Sequence, residues 1–89
     1  GPYASVPAGR YRLVIYGRAE RVPGGAWYDA ASGKGLERVL PVTPLSRARP
    51  GVLAEAEFHL PESVSDLEVR VWVDEHDEVS LQAFALFDA

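Results

Sequence analysis

The 89-residue chain predicts an all-β domain, an antiparallel β-sandwich of six to eight short strands. Three observations carry that expectation. Apolar and polar residues alternate with a period of two in several segments, turn-forming Gly, Pro, Asp and Ser clusters separate those segments at intervals of about 8–14 residues, and no segment sustains the 3.6-residue period of a helix. The length admits one hydrophobic core, hence a single domain over residues 1–89. At 47% hydrophobic and 25% charged residues, the composition stands clear of the signature of disorder.

Six segments read as strands. Arg10 to Arg18 puts Tyr11, Leu13 and Ile15 on one face and Arg12, Val14, Tyr16 and Arg18 on the other, and the turn Pro7-Ala8-Gly9 feeds it. After the loop Pro23-Gly24-Gly25, Ala26 to Ala30 is short and aromatic. Ser32-Gly33-Lys34-Gly35 then makes a hairpin-type turn into Leu36 to Val42, which Pro41 truncates or confines to a sheet edge. Thr43 to Gly51, with Pro44 and Pro50, reads as a loop crossing between sheets.

Val52 to Leu60 turns Ala54, Ala56, Phe58 and Leu60 inward and Glu55, Glu57 and His59 outward. Pro61-Glu62-Ser63 ends it, and Ser63-Val64-Ser65-Asp66 has the composition that caps a single helical turn. Leu67 to Val73 is the cleanest strand, with Leu67, Val69, Val71 and Val73 opposed to Glu68, Arg70 and Trp72. The acidic turn Asp74 to Glu78 joins it to a last strand from Val79 to Phe87.

Composition excludes several chemistries. Without cysteine there are no disulfides, thiolate metal centres or cysteine nucleophiles. The longest apolar runs, Leu13 to Tyr16 and Ala83 to Phe87, are far short of the ~20 residues that span a bilayer. Met is absent even at position 1, as expected for a piece of a longer protein or a processed product; Gly1-Pro2 reads as a tag scar or as a native lead-in. The formal charge of −4 divides unevenly: residues 1–50 carry eight basic and three acidic side chains, residues 51–89 one and ten. No basic cluster is dense, so nucleic acid is not the expected partner, and strands from the two halves are expected to pair opposite charges across a sheet.

The segments Gly1 to Ala19, Ala26 to Val42 and Phe58 to Leu86 together cover most of the chain. In them Gly9-Arg10-Tyr11 follows a short loop, Leu60-Pro61 ends a strand ahead of an alternating one, and a last strand returns to pack beside the first. This order resembles the galactose-binding-like jelly-roll domains found as carbohydrate-binding modules, particularly those appended to bacterial glycosyltransferases of surface-polysaccharide synthesis. The resemblance implies a non-catalytic accessory domain that needs no cofactor and holds polysaccharide or oligosaccharide near an enzyme domain of the parent protein. It also implies a bacterial, cytoplasmic setting, at the inner face of the membrane through that parent. Under it, Gly1-Pro2-Tyr3 belongs to the native pattern.

Sugar binding needs flat aromatic faces, because the C–H face of a pyranose is apolar and packs on Trp or Tyr while polar neighbours bond its hydroxyls. Trp27-Tyr28 beside Asp29 is one candidate, with the carboxylate as acceptor for two hydroxyls; alternation leaves only one ring of the pair available, the other belonging to the core. Trp72 with Arg70 is the second, and Arg12, Tyr16 and Arg18 are expected on the corresponding non-core face of the Arg10 to Arg18 strand. Such a patch is a glycan platform or a docking surface; alternatively the Thr43 to Gly51 loop covers Trp72 while Arg70 satisfies a local acid. The competing reading of the whole chain is an immunoglobulin-like interaction domain that docks on a partner domain or self-associates.

Other chemistry finds little support. Asp74-Glu75-His76-Asp77-Glu78 lacks the regular acid spacing and the Gly of a calcium loop, and His59 and His76 lie on different segments without a third His. None of the serines sits in a Gly-x-Ser-x-Gly elbow. Glu55 and Glu57 share one side of one strand, about 7 Å apart, without a cleft to dehydrate either. No catalytic residue and no metal ligand is assigned.

Overall fold

The computed structural model describes residues 3–19, 25–34, 36–45, 49–73 and 78–89. Among the described residues seven strands form in chain order: β1 (Tyr3–Val6), β2 (Gly9–Ala19), β3 (Trp27–Ser32), β4 (Glu37–Pro44), β5 (Val52–Leu60), β6 (Val64–Trp72) and β7 (Val79–Asp88). They make two sheets, ordered β1-β6-β3-β4 and β5-β2-β7, and every pairing is antiparallel. The pairs β1–β6, β2–β5 and β3–β4 nest around the β3–β4 hairpin, as the strands of a jelly roll do, and β7 adds to the free side of β2. The chain is therefore an all-β antiparallel sandwich.

Two local differences from the sequence reading have plain causes. Strand β1 is new, because Tyr-Ala-Ser-Val between two prolines is too short to display an alternation of its own; it gains its ladder from β6. Ser63 to Asp66 does not form a helical turn, since β6 already begins at Val64. Asp66 lies directly across from the β3–β4 turn and caps that instead. Gly33 and Lys34 occupy the left-handed region at φ 62° and 58° in the four-residue loop between the paired Ser32 and Glu37. Their N–H groups donate to the two Asp66 carboxylate oxygens at 3.0 and 2.8 Å, which holds the turn even though Lys34 is not a glycine. Pro41 stands on β4, an edge strand, where the pairing with β3 shifts register.

The core lies between the sheets. Leu13, Ile15, Ala54, Phe58 and Leu60 come from one layer, and Val6, Tyr28, Ala30, Leu40 and Leu67 from the other. The crossing segment after β4 contributes Leu45, buried and anchored by its N–H donating to the Ala26 carbonyl at 2.8 Å. Val14, on the opposite face of β2 from Leu13, is also buried; it lies in register between Glu55 and Ala85, on the face where Arg12 pairs with Glu55. Between β6 and β7 the layers do not close fully. A groove of about 410 Å³ opens there, lined by Glu68, Val69, Arg70, Val71 and Trp72 of β6 and by Leu81 and Phe84 of β7.

One glycine is dictated by close approach. At Gly17 the β2–β7 register shifts, and its N–H donates to the Gly51 carbonyl at 3.0 Å. A methyl group there would overlap the Ser80 carbonyl oxygen and come within 2.8 Å of Leu53 Cδ1. Gly17→Ala is accordingly expected to cost about 1–3 kcal/mol, the usual range for overpacking, measurable as a lower urea midpoint with an unchanged slope.

Candidate functional site

The outward face of the four-stranded sheet is built by alternation on β3 and by its register with β6. Tyr28 and Ala30 point to the core, so Trp27, Asp29 and Ala31 point away from it. Across the ladder, Trp27 pairs with Trp72, Asp29 with Arg70, and Ala31 with Glu68. On the other side Ala31 pairs with Arg38 of β4. A row of two indoles is thus followed, one pleat along, by a carboxylate and a guanidinium.

Asp29 has no exposed surface although it stands on an outward face. Arg70 binds it in bidentate fashion, Nε to Oδ1 at 2.8 Å and Nη2 to Oδ2 at 2.6 Å, and Arg38 Nε donates to Oδ2 at 3.0 Å. These hydrogen bonds, that of Arg70 foremost, hold the Asp29 carboxyl below the usual carboxylate range against the opposing effect of burial. Fixed in this way, the Arg70 guanidinium lies 5.3 Å from the centre of the Trp72 ring. Trp27 and Trp72 are 49% and 43% exposed, with ring centroids 6.4 Å apart and planes tilted by 54°. The pair is a shallow aromatic cradle flanked by cationic hydrogen-bond donors.

Of the residues singled out in the sequence, Trp27, Asp29, Arg70 and Trp72 come together here. Tyr28 does not join them: it is 2% exposed on the core side, where burial pushes its phenol up. Arg12 and Tyr16 are on the far side of the molecule, because β2 and β6 belong to different sheets whose outward faces point in opposite directions. There Arg12 pairs with Glu55 at 3.3 Å and lies 5.0 Å from the centre of the Phe87 ring. The role of Asp29 also changes. Its oxygens are taken up by three protein donors, so it positions arginines rather than accepting from sugar hydroxyls. Arg38 escaped notice in the sequence; the hairpin turn, counted back along both strands, was the signal that brings it opposite Ala31.

Glu55 is an ion-pair partner of both Arg12 and Arg49. Among the described residues no three His, Asp or Glu side chains converge as a metal site requires. Residues 74 to 77 of the acidic turn, including His76, lie outside the described residues. No helix among the described residues is long and apolar enough to cross a membrane. No protein-family model, curated protein or solved structure matches the chain.

Two outcomes follow for the carboxylates. Asp29→Asn removes the counter-charge of two guanidiniums that reach solvent and should destabilise the fold by about 1.5–3 kcal/mol, the range for losing hydrogen bonds to a charged group; chemical denaturation reads this. The Asp66 carboxyl is likewise held low, by the N–H groups of Gly33 and Lys34. Both depressed groups stabilise the folded state fully above the ordinary carboxylate pKa, and that contribution is lost as the pH falls through their lower folded values. Thermal melts should therefore show a drop in Tm on acidification below about pH 4, with a smaller drop in Asp29→Asn, which no longer carries one of the two groups.

Proposed function

We propose that this domain is a non-catalytic carbohydrate-binding module, holding glycan near a polysaccharide-synthesising or polysaccharide-modifying domain of a larger protein. The observation that carries the reading is the exposed Trp27–Trp72 pair, set in register on an outward sheet face beside guanidiniums whose direction is fixed by a buried carboxylate. A pyranose stacked on one indole meets the tilted edge of the other. Its hydroxyl oxygens then face the guanidinium of Arg70, 5.3 Å from the Trp72 ring centre, with Arg38 the next cation across Asp29. The arginines, not Asp29, are the polar partners of the sugar in this reading.

Affinity would be low for a single sugar. Stacking on one indole removes roughly 100 Å² of apolar surface, about 2–3 kcal/mol before association costs, which corresponds to a Kd of millimolar order or weaker. A weak site suits an accessory domain, whose effect comes from raising the local concentration of a long chain beside a catalytic partner.

A titration of the 89-residue chain with bacterial surface oligosaccharides, followed by amide and indole shifts, tests this. Shifts should concentrate on Trp27, Trp72 and Arg70, and Trp27→Ala or Trp72→Ala should weaken binding at least tenfold while Arg12→Ala and Tyr16→Phe leave it unchanged. Absence of any shift at tens of millimolar sugar, or shifts centred on Arg12 and Tyr16, would defeat the proposal.

A further inference from the structure

The free edges of the two sheets are not alike. Strand β4 carries Pro41 and Pro44, and β1 is only four residues long. Strand β5 presents Glu55 and Glu57 on one face, so a second copy paired there would bring like charges together. These are the ordinary devices that blunt a sheet edge. Strand β7 carries neither charge nor proline in the run Val-Ser-Leu-Gln-Ala-Phe-Ala-Leu-Phe from Val79 to Phe87, and its one blunting device is the irregularity near Gln82. It is also poorly covered, with Leu81 43%, Phe84 37% and Phe87 40% exposed. Its register with β2 shifts between Leu81 and Ala83 and is regular from Ala83 to Asp88.

We infer that the Ala83–Asp88 edge of β7 pairs antiparallel with the same edge of a second copy, joining two three-stranded sheets into one of six. Self-pairing suits this strand for two reasons. No charge between Val79 and Phe87 opposes another across a two-fold axis. A register centred on Ala85 sets Ala83 against Phe87 of the second copy on the outer face, a small residue against a large one, and Phe84 against Leu86 on the inner face, an apolar pair. The inner contact lies beside the groove between β6 and β7, whose lining includes Phe84 and Leu81. A paired stretch this short spans about 20 Å, too little for the ~1,200 Å² of a stable standard interface. The dimer is therefore weak and forms with rising concentration. If the aromatic face binds glycan, which rests on the separate proposal above, each dimer carries two such faces and gains avidity for a polymer.

Sedimentation equilibrium of the 89-residue chain from about 10 μM to about 1 mM, the range in which weak association shows, tests the pairing without any glycan. The weight-average mass should climb from 9.7 kDa toward twice that value. Ala85→Lys and Ala85→Glu, each setting like charges face to face, should separately weaken dimerisation at least tenfold, and an equimolar mixture should restore it. Ala83→Lys, at an exposed position, repeats the loss should a charge at Ala85 disturb the neighbouring Val14. A wild-type mass that stays monomeric at 1 mM overturns the inference, as does a dimer that survives Ala83→Lys and both Ala85 substitutions.

Discussion

A carboxylate without access to water, placed on the solvent side of a sheet, is the constraint around which the candidate site is organised. An ionised Asp at such a position is tolerated only if its lone pairs are filled by charged donors. Asp29 meets that requirement with both donors of the Arg70 fork and a third from Arg38. The three side chains come from three adjacent strands, so the cluster stitches β6, β3 and β4 together across the sheet. It also settles where Arg70 points. A free arginine has wide rotamer freedom, whereas this one is held beside the Trp72 ring.

That arrangement relates the fold to the proposed activity. A small sandwich has no room for a deep cavity, and its recognition chemistry must be laid out on a surface. Surface recognition loses affinity whenever side chains have to be ordered on binding. Pinning the guanidiniums through a buried acid, and setting two indoles opposite each other in register, means that much of this ordering is already complete in the folded domain. The opposite sheet is used differently: its Arg12–Glu55–Arg49 cluster joins the basic first part of the chain to the acidic second part, and it lies over the face that buries Val14.

Much of the architecture was legible in the sequence because period-two alternation is a local signal. Tyr11, Leu13 and Ile15, the Ala54 to Leu60 series, and Leu67 with Val69 and Val71 face inward as the pattern requires. Pro41 correctly marked an edge. Val73 departs from the pattern only because the strand stops at Trp72, leaving it 55% exposed. What alternation does not encode is which strands share a sheet. Arg12 and Tyr16 have the right composition to join Trp72, yet the pairing of β2 with β5 and β7 carries them to the opposite surface. Asp29 was visible as a residue, but its role was not, since Arg70 is 41 residues away in sequence and its partnership depends on the β3–β6 register.

The central claim is that Asp29 is an ionised, guanidinium-locked carboxylate that fixes the aromatic face. A carbon-13 NMR titration of its side-chain carboxyl, with the Arg70 Nε–H and Trp72 indole resonances followed in the same samples, tests it most directly. The account predicts a midpoint below the ordinary Asp value, with the Arg70 and Trp72 signals moving at that same pH. An Asp29 carboxyl titrating at its ordinary value, while Arg70 and Trp72 remain indifferent, would contradict it.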